Sequence, residues 1–434
     1  MKKLIILLLP LLLCSCYDET EPDNLTYVTA VGIDQSENEE NYYFTIQFAK
    51  TAAISGGASE EGGKGGEIVE NIIVEAPTLY SAVNWTNHIL SKNLSMSHIK
   101  LIVFSKEIAE SGVRNLTETI IRSQEIRPNI YFAVSNTKAS EYLKNVKPII
   151  EINPAKYYQL LFEKNNYGGI PKNPGYNFIF NQETNNPENV LPIVGVIQEE
   201  KSEKSGNTTS AGTEDESSSS EGSEGKQYKN SLQKIAPMND EAFEYKSKNY
   251  IAGELGVEVK NKSEAMGIAI FKGDKAVGFM GSIESLLYNI LSGHYNRSYL
   301  TFKTSSSEIP ITMRAEMDKK THIKYDKYTN KATIKIFIEG DFVSMAADSY
   351  TEKDISGFEK EASDALNSAS KTFLERTRDE FGSDIIGVGS YARREFWTDK
   401  QFEEFNWSEK YKNITFDIHS EVKIRRTGLV SKNN

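Results

Sequence analysis

The sequence predicts a mixed α/β protein (α+β in the broad sense) with several domains, and three observations support this prediction. The chain has 434 residues, which is longer than one ordinary domain. Apolar residues make up 38% of it and aromatic residues 10%, a composition typical of packed sheets. Short alternating segments also follow one another with segments of helical periodicity between them. We expect three α/β domains with mixed or antiparallel sheets and packed helices.

Residues 1–15 have the form of a lipoprotein signal peptide. Two lysines precede the apolar segment Leu4–Leu13, which as a helix covers about 15 Å, half of a bilayer core of about 30 Å. The end of this segment, Leu13-Cys14-Ser15-Cys16, resembles a bacterial lipobox. Cys16 fits that motif because Ser15 precedes it and Leu13 lies three residues before it, whereas the bulky Leu13 directly precedes Cys14. We therefore expect lipidation at Cys16, and a plain cleaved signal is the alternative.

Lipidation would attach the remaining chain to a membrane by acyl chains such as palmitate. The net charge of −11 would become more negative when Lys2 and Lys3 leave with the signal. No basic run is present that would displace the counterions of DNA or RNA, so nucleic acid is not an expected partner. Cys14 and Cys16 are the only cysteines, which excludes a disulfide framework and a cysteine-ligated metal.

Residues 16–198 are predicted to form an N-terminal α/β region. Its elements are, in order, the hairpin strands Leu25–Asp34 and Tyr42–Lys50, strand Ile68–Glu75, helix Pro77–Ser91, strand Ile99–Ser105, helix Lys106–Gln124, strand Ile130–Ser135, helix Ala139–Val146, a helix starting at Pro154, and strand Leu191–Gln198. Tyr167–Pro187 is rich in Asn and Pro and is predicted to be mostly irregular.

Residues 199–226 are predicted to be a disordered acidic loop. The segment is rich in Ser, Gly and Glu and contains no large apolar side chain. It cannot bury enough surface to offset the entropy lost on ordering. An acidic recognition segment is the alternative interpretation.

Residues 227–434 are predicted to form a C-terminal α/β region, with a middle domain at about 227–295 and a C-terminal domain at about 296–434. The predicted elements are a hairpin over Met266–Met280, helix Ser282–Leu291, strands Ser298–Thr304, Pro310–Glu316 and Ala332–Glu339, helix Glu352–Phe381 ended by Gly382, and strand Thr415–Arg425.

Motifs that carry chemistry are weak in this sequence. Ser55–Gly66 is rich in glycine but lacks the register of a phosphate-binding loop. Gly387–Ala392 matches the dinucleotide pattern G-x-G-x-x-A, but a helix precedes it where a dinucleotide site needs a strand. A backbone turn is therefore the favoured interpretation. In this turn Gly387 and Gly389 would adopt conformations that are closed to residues with a Cβ. The five histidines are scattered, and a nucleophile elbow is absent. We expect no catalytic, cofactor-binding or metal-binding residues, and therefore no enzyme.

An aromatic segment follows this motif. Phe396–Phe405 is amphipathic, contains Trp397 and is followed by Trp407. Such residues belong either to the core or to a partner-facing anchor, and core is the favoured interpretation because each aromatic lies between charged neighbours.

The sequence resembles a known family, the Ger(x)C lipoproteins that form the C subunits of spore germinant receptors. The N-terminal pattern of this family is matched by Tyr17-Asp18, which follows the expected lipidation site, and by the strand Val28–Asp34, which ends in Gly-Ile-Asp. Tryptophan is usual in the family where this sequence has Tyr17. The hairpin Gly267–Gly278 looks like its middle signature. Its C-terminal pattern is matched by Ser383–Gly389, Trp397, Trp407 and Arg425-Arg426-Thr427-Gly428.

The resemblance implies a three-domain α/β ectodomain, lipid-anchored on the outer face of the inner spore membrane. It implies a non-catalytic subunit of a nutrient germinant receptor that assembles with integral-membrane A and B subunits and takes part in triggering germination, without a cofactor. Direct nutrient binding is not expected. An independent solute-binding lipoprotein is the alternative, and a two-lobed protein of that kind would show two similar lobes around a cleft.

Overall fold

The computed structural model describes residues 21–50, 68–151, 153–163, 169–184, 188–197, 249–257, 259–304, 307–344 and 352–426. Cys14, Cys16, the loop Ser55–Gly66 and the acidic segment Glu199–Lys226 lie outside the described residues. Within them, no helix is long and apolar enough to cross a membrane.

The first sheet has nine strands in the order β3-β2-β1-β5-β6-β7-β8-β9, with β4 paired beside β1. Its strands are β1 Leu25–Gln35, β2 Tyr42–Ala49, β3 Val69–Ala76, β4 Asn93–Ser95, β5 Leu101–Ser105, β6 Tyr131–Ser135, β7 Val190–Val196, β8 Ser263–Lys272 and β9 Lys275–Met280. Strands β1, β5, β6 and β7 are parallel, and antiparallel strands flank them on both sides.

Helices cover both faces of this sheet, which explains why β5 and β7 are buried along their whole length. One face packs against α1 Leu79–Asn87, α2 Lys106–Ser111, α3 Arg114–Ile121 and α6 Gly175–Thr184. The other face packs against α4 Ala139–Asn145 and α5 Pro154–Glu163.

The second sheet has five strands, and one long helix dominates its core. The strands are β10 Arg297–Thr304, β11 Ser307–Glu316, β12 His322–Asp326, β13 Lys331–Ser344 and β14 Thr415–Arg426. Strand β13 pairs with β11 and β12 on one edge and with β14 in parallel on the other. The helices that pack with this sheet are α7 Ser282–Leu291, α8 Glu352–Arg376, α9 Val388–Arg393, α10 Asp399–Phe405 and α11 Trp407–Tyr411. We call the first sheet with its helices the first half of the molecule and the second sheet with its helices the second half.

The predicted fold class is confirmed, since both sheets are mixed and helices pack against them. The β1–β2 hairpin, the β8–β9 hairpin and α7 are also confirmed. The single helix predicted over Lys106–Gln124 is wrong because Gly112, with φ of +123°, separates α2 from α3. The irregular structure predicted for Tyr167–Pro187 is wrong over α6, where the buried Phe178 packs against the first sheet.

The chain after the acidic segment does not form a separate middle sheet within its described residues. Strand β8 pairs with β7, with Val190 opposite Ile270, so the β8–β9 hairpin extends the first sheet. Helix α7 packs in the core of the second half, and this core also contains Ile268 and Ile270 of β8. The predicted domain limits at about 227–295 and 296–434 remain a prediction. The β8–β9 hairpin and α7 connect the two halves of the molecule.

Candidate functional site: a polar junction between the two sheets

The junction lies where α8 ends against the first sheet. The last turn of this helix, Thr377–Phe381, is a π-helix, a form that often occurs at functional sites. Gly382 then adopts φ of +58°, a left-handed conformation that suits glycine and reverses the chain. After this reversal, residues 383–389 begin beside the β8–β9 hairpin.

Ser383 connects the two halves directly. Its hydroxyl is buried and lies 2.9 Å from the carbonyl oxygen of Phe271 in β8. It also lies 2.9 Å from the carboxylate of Glu188, just before β7. The backbone N–H of Glu188 donates in turn to the carbonyl oxygen of Asp384 at 3.3 Å.

Asp384 caps the N-terminus of α9. Its carboxylate accepts hydrogen bonds from the backbone N–H groups of Val388 at 2.9 Å and Gly389 at 2.6 Å. The indole Nε1–H of Trp407 donates to the same group at 3.1 Å. Burial raises the pKa of the Asp384 carboxyl above its usual value, and these donors partly offset the effect.

The G-x-G-x-x-A motif therefore builds a capped turn. Gly387 has φ of +73°, as predicted for a position closed to residues with a Cβ. The same prediction is wrong for Gly389, which lies in the first turn of α9 and donates its N–H to Asp384. The carboxylate of Asp384 occupies the end of the helix where a phosphate would bind in a dinucleotide site.

Glu188 is a second carboxylic acid of the junction whose pKa is raised. Burial raises the pKa of its carboxyl to about 7, although the hydrogen bond from Ser383 and the charge of Lys272 favour the ionised form. The negative charge of Asp384 raises this pKa further. The charge of Glu188 therefore changes close to neutral pH.

The β8–β9 hairpin fits closely against the end of α8. A Cβ added to Gly278 in β9 would overlap the ring of Phe381 in the π-turn. A Cβ on Gly382 would lie 3.2 Å from Nζ of Lys272. The two segments that carried the family resemblance, 267–278 and 383–389, are in direct contact through the hydrogen bond from Ser383 to the carbonyl oxygen of Phe271.

Tyr411 and Trp407 complete the junction on the side of the second core. The buried hydroxyl of Tyr411 lies 3.0 Å from Oγ1 of Thr377 in the π-turn. The ring of Trp407 packs edge-on against Tyr325, with centroids 5.2 Å apart. Trp397 differs from Trp407, because it is 96% exposed, so the core interpretation of the aromatic segment is wrong at this residue.

A cleft of about 900 Å³ opens at the junction. Glu188, Lys272, Asp384 and Trp407 line it, together with the exposed Phe180 of α6. The side chains of Glu188, Asp384 and Trp407 are held by the hydrogen bonds described above. In the described residues no group of three or more His, Cys, Asp or Glu could hold a metal ion. The geometry fits a structural link between the two halves.

Sequence reasoning found part of this site. It located 267–278 and 383–389 and favoured a turn at Gly387, whereas Glu188 lies alone in an Asn- and Pro-rich segment without any pattern that could have indicated it. Cys16, the predicted lipidation site, lies outside the described residues.

Two family models match the chain, one on each side of the acidic segment. The N-terminal domain of spore germination proteins matches residues 18–196. The C-terminal model, described as spore germination B3/GerAC like, matches residues 266–428. The chain belongs to the Ger(x)C family of spore germination proteins. The second Ger(x)C model spans the β8–β9 hairpin and residues 383–389, which meet at the junction.

Curated Ger(x)C relatives are distant in sequence. Spore germination protein KC of Bacillus subtilis (strain 168) is 28% identical over 171 residues, 39% of this chain and 42% of that protein. Spore germination protein GerQC of Bacillus cereus is 21% identical over 345 residues, 77% of this chain and 76% of that protein. The match to the first relative therefore spans less than half of its length.

One solved structure shows the same fold. The crystal structure of the GerBC protein superimposes with a TM-score of 0.51 at 15% identity, covering 91% of this chain and 96% of that one. At this identity the likeness establishes the Ger(x)C fold alone.

Proposed function

We propose that this protein is a lipid-anchored, non-catalytic subunit of a membrane nutrient germinant receptor. In this proposal Cys16 carries the lipid, on the outer face of the inner spore membrane. The ectodomain assembles with integral-membrane A and B subunits and takes part in triggering germination. The match of both Ger(x)C models, in order and over both halves of the chain, is the observation that carries the proposal.

The junction supports a non-catalytic role. The carboxylate of Asp384 is committed to two backbone N–H groups and an indole, and the hydroxyl of Ser383 to Glu188 and Phe271. The buried side chains here satisfy one another and hold the two halves together.

The anchor can be tested with single cysteine substitutions. Cys16→Ala removes the lipobox-compatible sulfur, so we expect the protein to leave the membrane pellet or to remain unprocessed. Cys14→Ala is the matched control and should behave as the wild type. Membrane fractionation and mass spectrometry of the N-terminus measure both effects, and unchanged processing and retention of Cys16→Ala would contradict the anchor.

Assembly can be tested by purifying the tagged chain from spore membranes solubilised in mild detergent. We expect two multi-span membrane proteins to copurify with the wild type in constant ratio. Their absence in repeated preparations, with the tagged chain intact and lipidated, would contradict a receptor subunit without bearing on the anchor.

The cleft of about 900 Å³ is the observation that favours the second candidate, an independent solute-binding lipoprotein. Its volume lies in the range of small-molecule sites, about 300–1,000 Å³. The two halves differ in topology, however, with nine strands in one sheet and five in the other. A receptor subunit therefore fits the fold better than a protein of two similar lobes.

A further inference from the structure

A row of basic side chains crosses the outer face of the second sheet. His322 in β12 lies directly opposite Lys335 in β13, and Lys335 lies directly opposite His419 in β14. All three residues are exposed. Neighbouring strands are about 4.8 Å apart, so the row is roughly 10 Å long.

Two further lysines extend this row into a groove. One residue separates Lys319 and Lys320 from the start of β12. Nζ of Lys319 lies 4.8 Å from the ring centroid of Phe337. With His322, Lys335 and His419 they line a groove of about 590 Å³, whose other walls are Ile336, Phe337, Ser420 and Glu421. We call this surface the basic groove.

The ion pairs nearby show what is unusual about the basic groove. Other charged rows of the same sheet pair opposite charges, as in Lys331–Asp417 at 2.6 Å, Arg314–Asp341 at 3.5 Å and Arg425 with Glu339. His419 contacts Asp417 at 3.2 Å. Among the described residues, Lys319, Lys320 and Lys335 form no ion pair, although the chain carries a net charge of −11.

Charge repulsion adds a second feature of the basic groove. Basic side chains placed side by side on adjacent strands repel one another when charged. An anion in the groove would relieve this repulsion.

We propose that the basic groove is a binding site for a small polyanion with two or more carboxylate or phosphate groups within about 10 Å of one another. The groove is concave and within the size range of small-molecule sites, about 300–1,000 Å³. Its lysine ammonium groups act as point charges, which bind carboxylates and phosphates alike. This site is separate from the junction and goes beyond the proposed receptor role.

The test is isothermal titration calorimetry of the full chain in detergent, at about 50 mM NaCl, where charges are weakly screened. Citrate is the carboxylate probe and inorganic pyrophosphate is the phosphate probe. We expect saturable binding at one site per chain by at least one of them, weakened about tenfold or more at about 500 mM NaCl. A preference between the probes would assign the anion class.

The variant Lys320→Gln/Lys335→Gln should weaken this binding at least about tenfold, because it removes two unpaired charges facing the anion. The matched control Lys50→Gln/Lys412→Gln removes two lysines that already pair with Glu70 and Glu409. It should bind as the wild type does. Absence of saturable binding up to about 10 mM of either probe, or equal weakening in both variants, would overturn the proposal.

Discussion

The carboxylate of Glu188 has a pKa of about 7 because it is desolvated between the two sheets. Its side chain accepts a hydrogen bond from Ser383 in the other half. In the unfolded chain its pKa would return to about 4.5. Between these values the native protein binds more protons than the unfolded protein, so this group lowers stability as pH rises.

Glu188→Gln should remove that pH dependence. The amide keeps an acceptor for Ser383 and carries no charge to desolvate. At pH 8 we expect the variant to be more stable than the wild type by about 2–3 kcal/mol, and near pH 4.5 to differ little from it. Urea unfolding at the two pH values, followed by tryptophan fluorescence, measures this difference.

The control for this prediction is Glu403→Gln, which neutralises an exposed carboxylate of the same cleft. Its effect on the free energy of unfolding should be small at both pH values. If Glu188→Gln shifted stability equally at pH 4.5 and pH 8, the carboxyl would not be the titrating group.

Gly387 carries the turn into α9 with φ of +73°. Gly387→Ala should destabilise the second half by about 1–2 kcal/mol, because a Cβ is disfavoured in the left-handed region. Gly357→Ala is the control, since Gly357 lies inside α8 with open space around it, and should stabilise by about 0.5–1 kcal/mol. Equal unfolding midpoints for the two variants would contradict this account of the turn.

At the scale of elements, α8 protects the free edge of β14. The backbone N–H groups of Ser420, Val422 and Ile424 donate to side chains of the helix instead of to another strand. The acceptors are Asn367 at 2.7 Å, Ser363 at 3.0 Å and Glu359 at 2.9 Å. An open strand edge invites pairing with another chain, so this helix guards against aggregation.

Asn367→Ala should expose this edge. The backbone N–H of Ser420 at the edge of β14 loses its acceptor. We therefore expect the free energy of unfolding to fall by about 1–3 kcal/mol and hydrogen exchange at Ser420 to become faster. Ser368→Ala changes the neighbouring exposed position and should leave exchange in β14 unchanged. Unaltered exchange at Ser420 in Asn367→Ala would show that α8 does not hold the edge.

At the scale of the whole molecule, the receptor role and the solute-binding alternative predict different responses to nutrients. A ligand at 100 times its dissociation constant adds about 2.7 kcal/mol to the native state. That corresponds to a rise in Tm of about 5–10 °C for a domain of 150–250 residues. We expect amino acids with uncharged side chains, sugars and nucleosides at millimolar concentration to leave the Tm of the purified chain unchanged.

The positive control in this screen is pyrophosphate, the phosphate probe for the basic groove, which should raise the Tm. The tested nutrients do not carry several negative charges on one molecule. A reproducible, saturable rise in Tm with one nutrient would favour the solute-binding alternative. The same rise in a variant with a filled cleft, such as Ser408→Trp, would place that nutrient away from the junction.

Local patterns were sufficient for much of the fold. Alternation located β1 and β2, and a tight turn at 272–275 located the β8–β9 hairpin. Helix α7 begins and ends at the predicted residues because its apolar face and its flanks are both encoded locally. Helix α6 was missed because the density of Asn and Pro in the surrounding segment 167–187 predicted irregular structure, whereas the packing of Phe178 against the first sheet stabilises the helix.

The sequence alone determined the strand and helix alternation, the absence of local catalytic motifs and the resemblance to the Ger(x)C family, because each depends on residues that are close together or in a fixed order. Only the tertiary structure decided that the β8–β9 hairpin extends the first sheet and that Glu188 faces Ser383. The latter pair is 195 residues apart in the chain. No periodicity encodes such a contact, since it depends on how two separately built sheets pack and on the desolvation that this packing imposes.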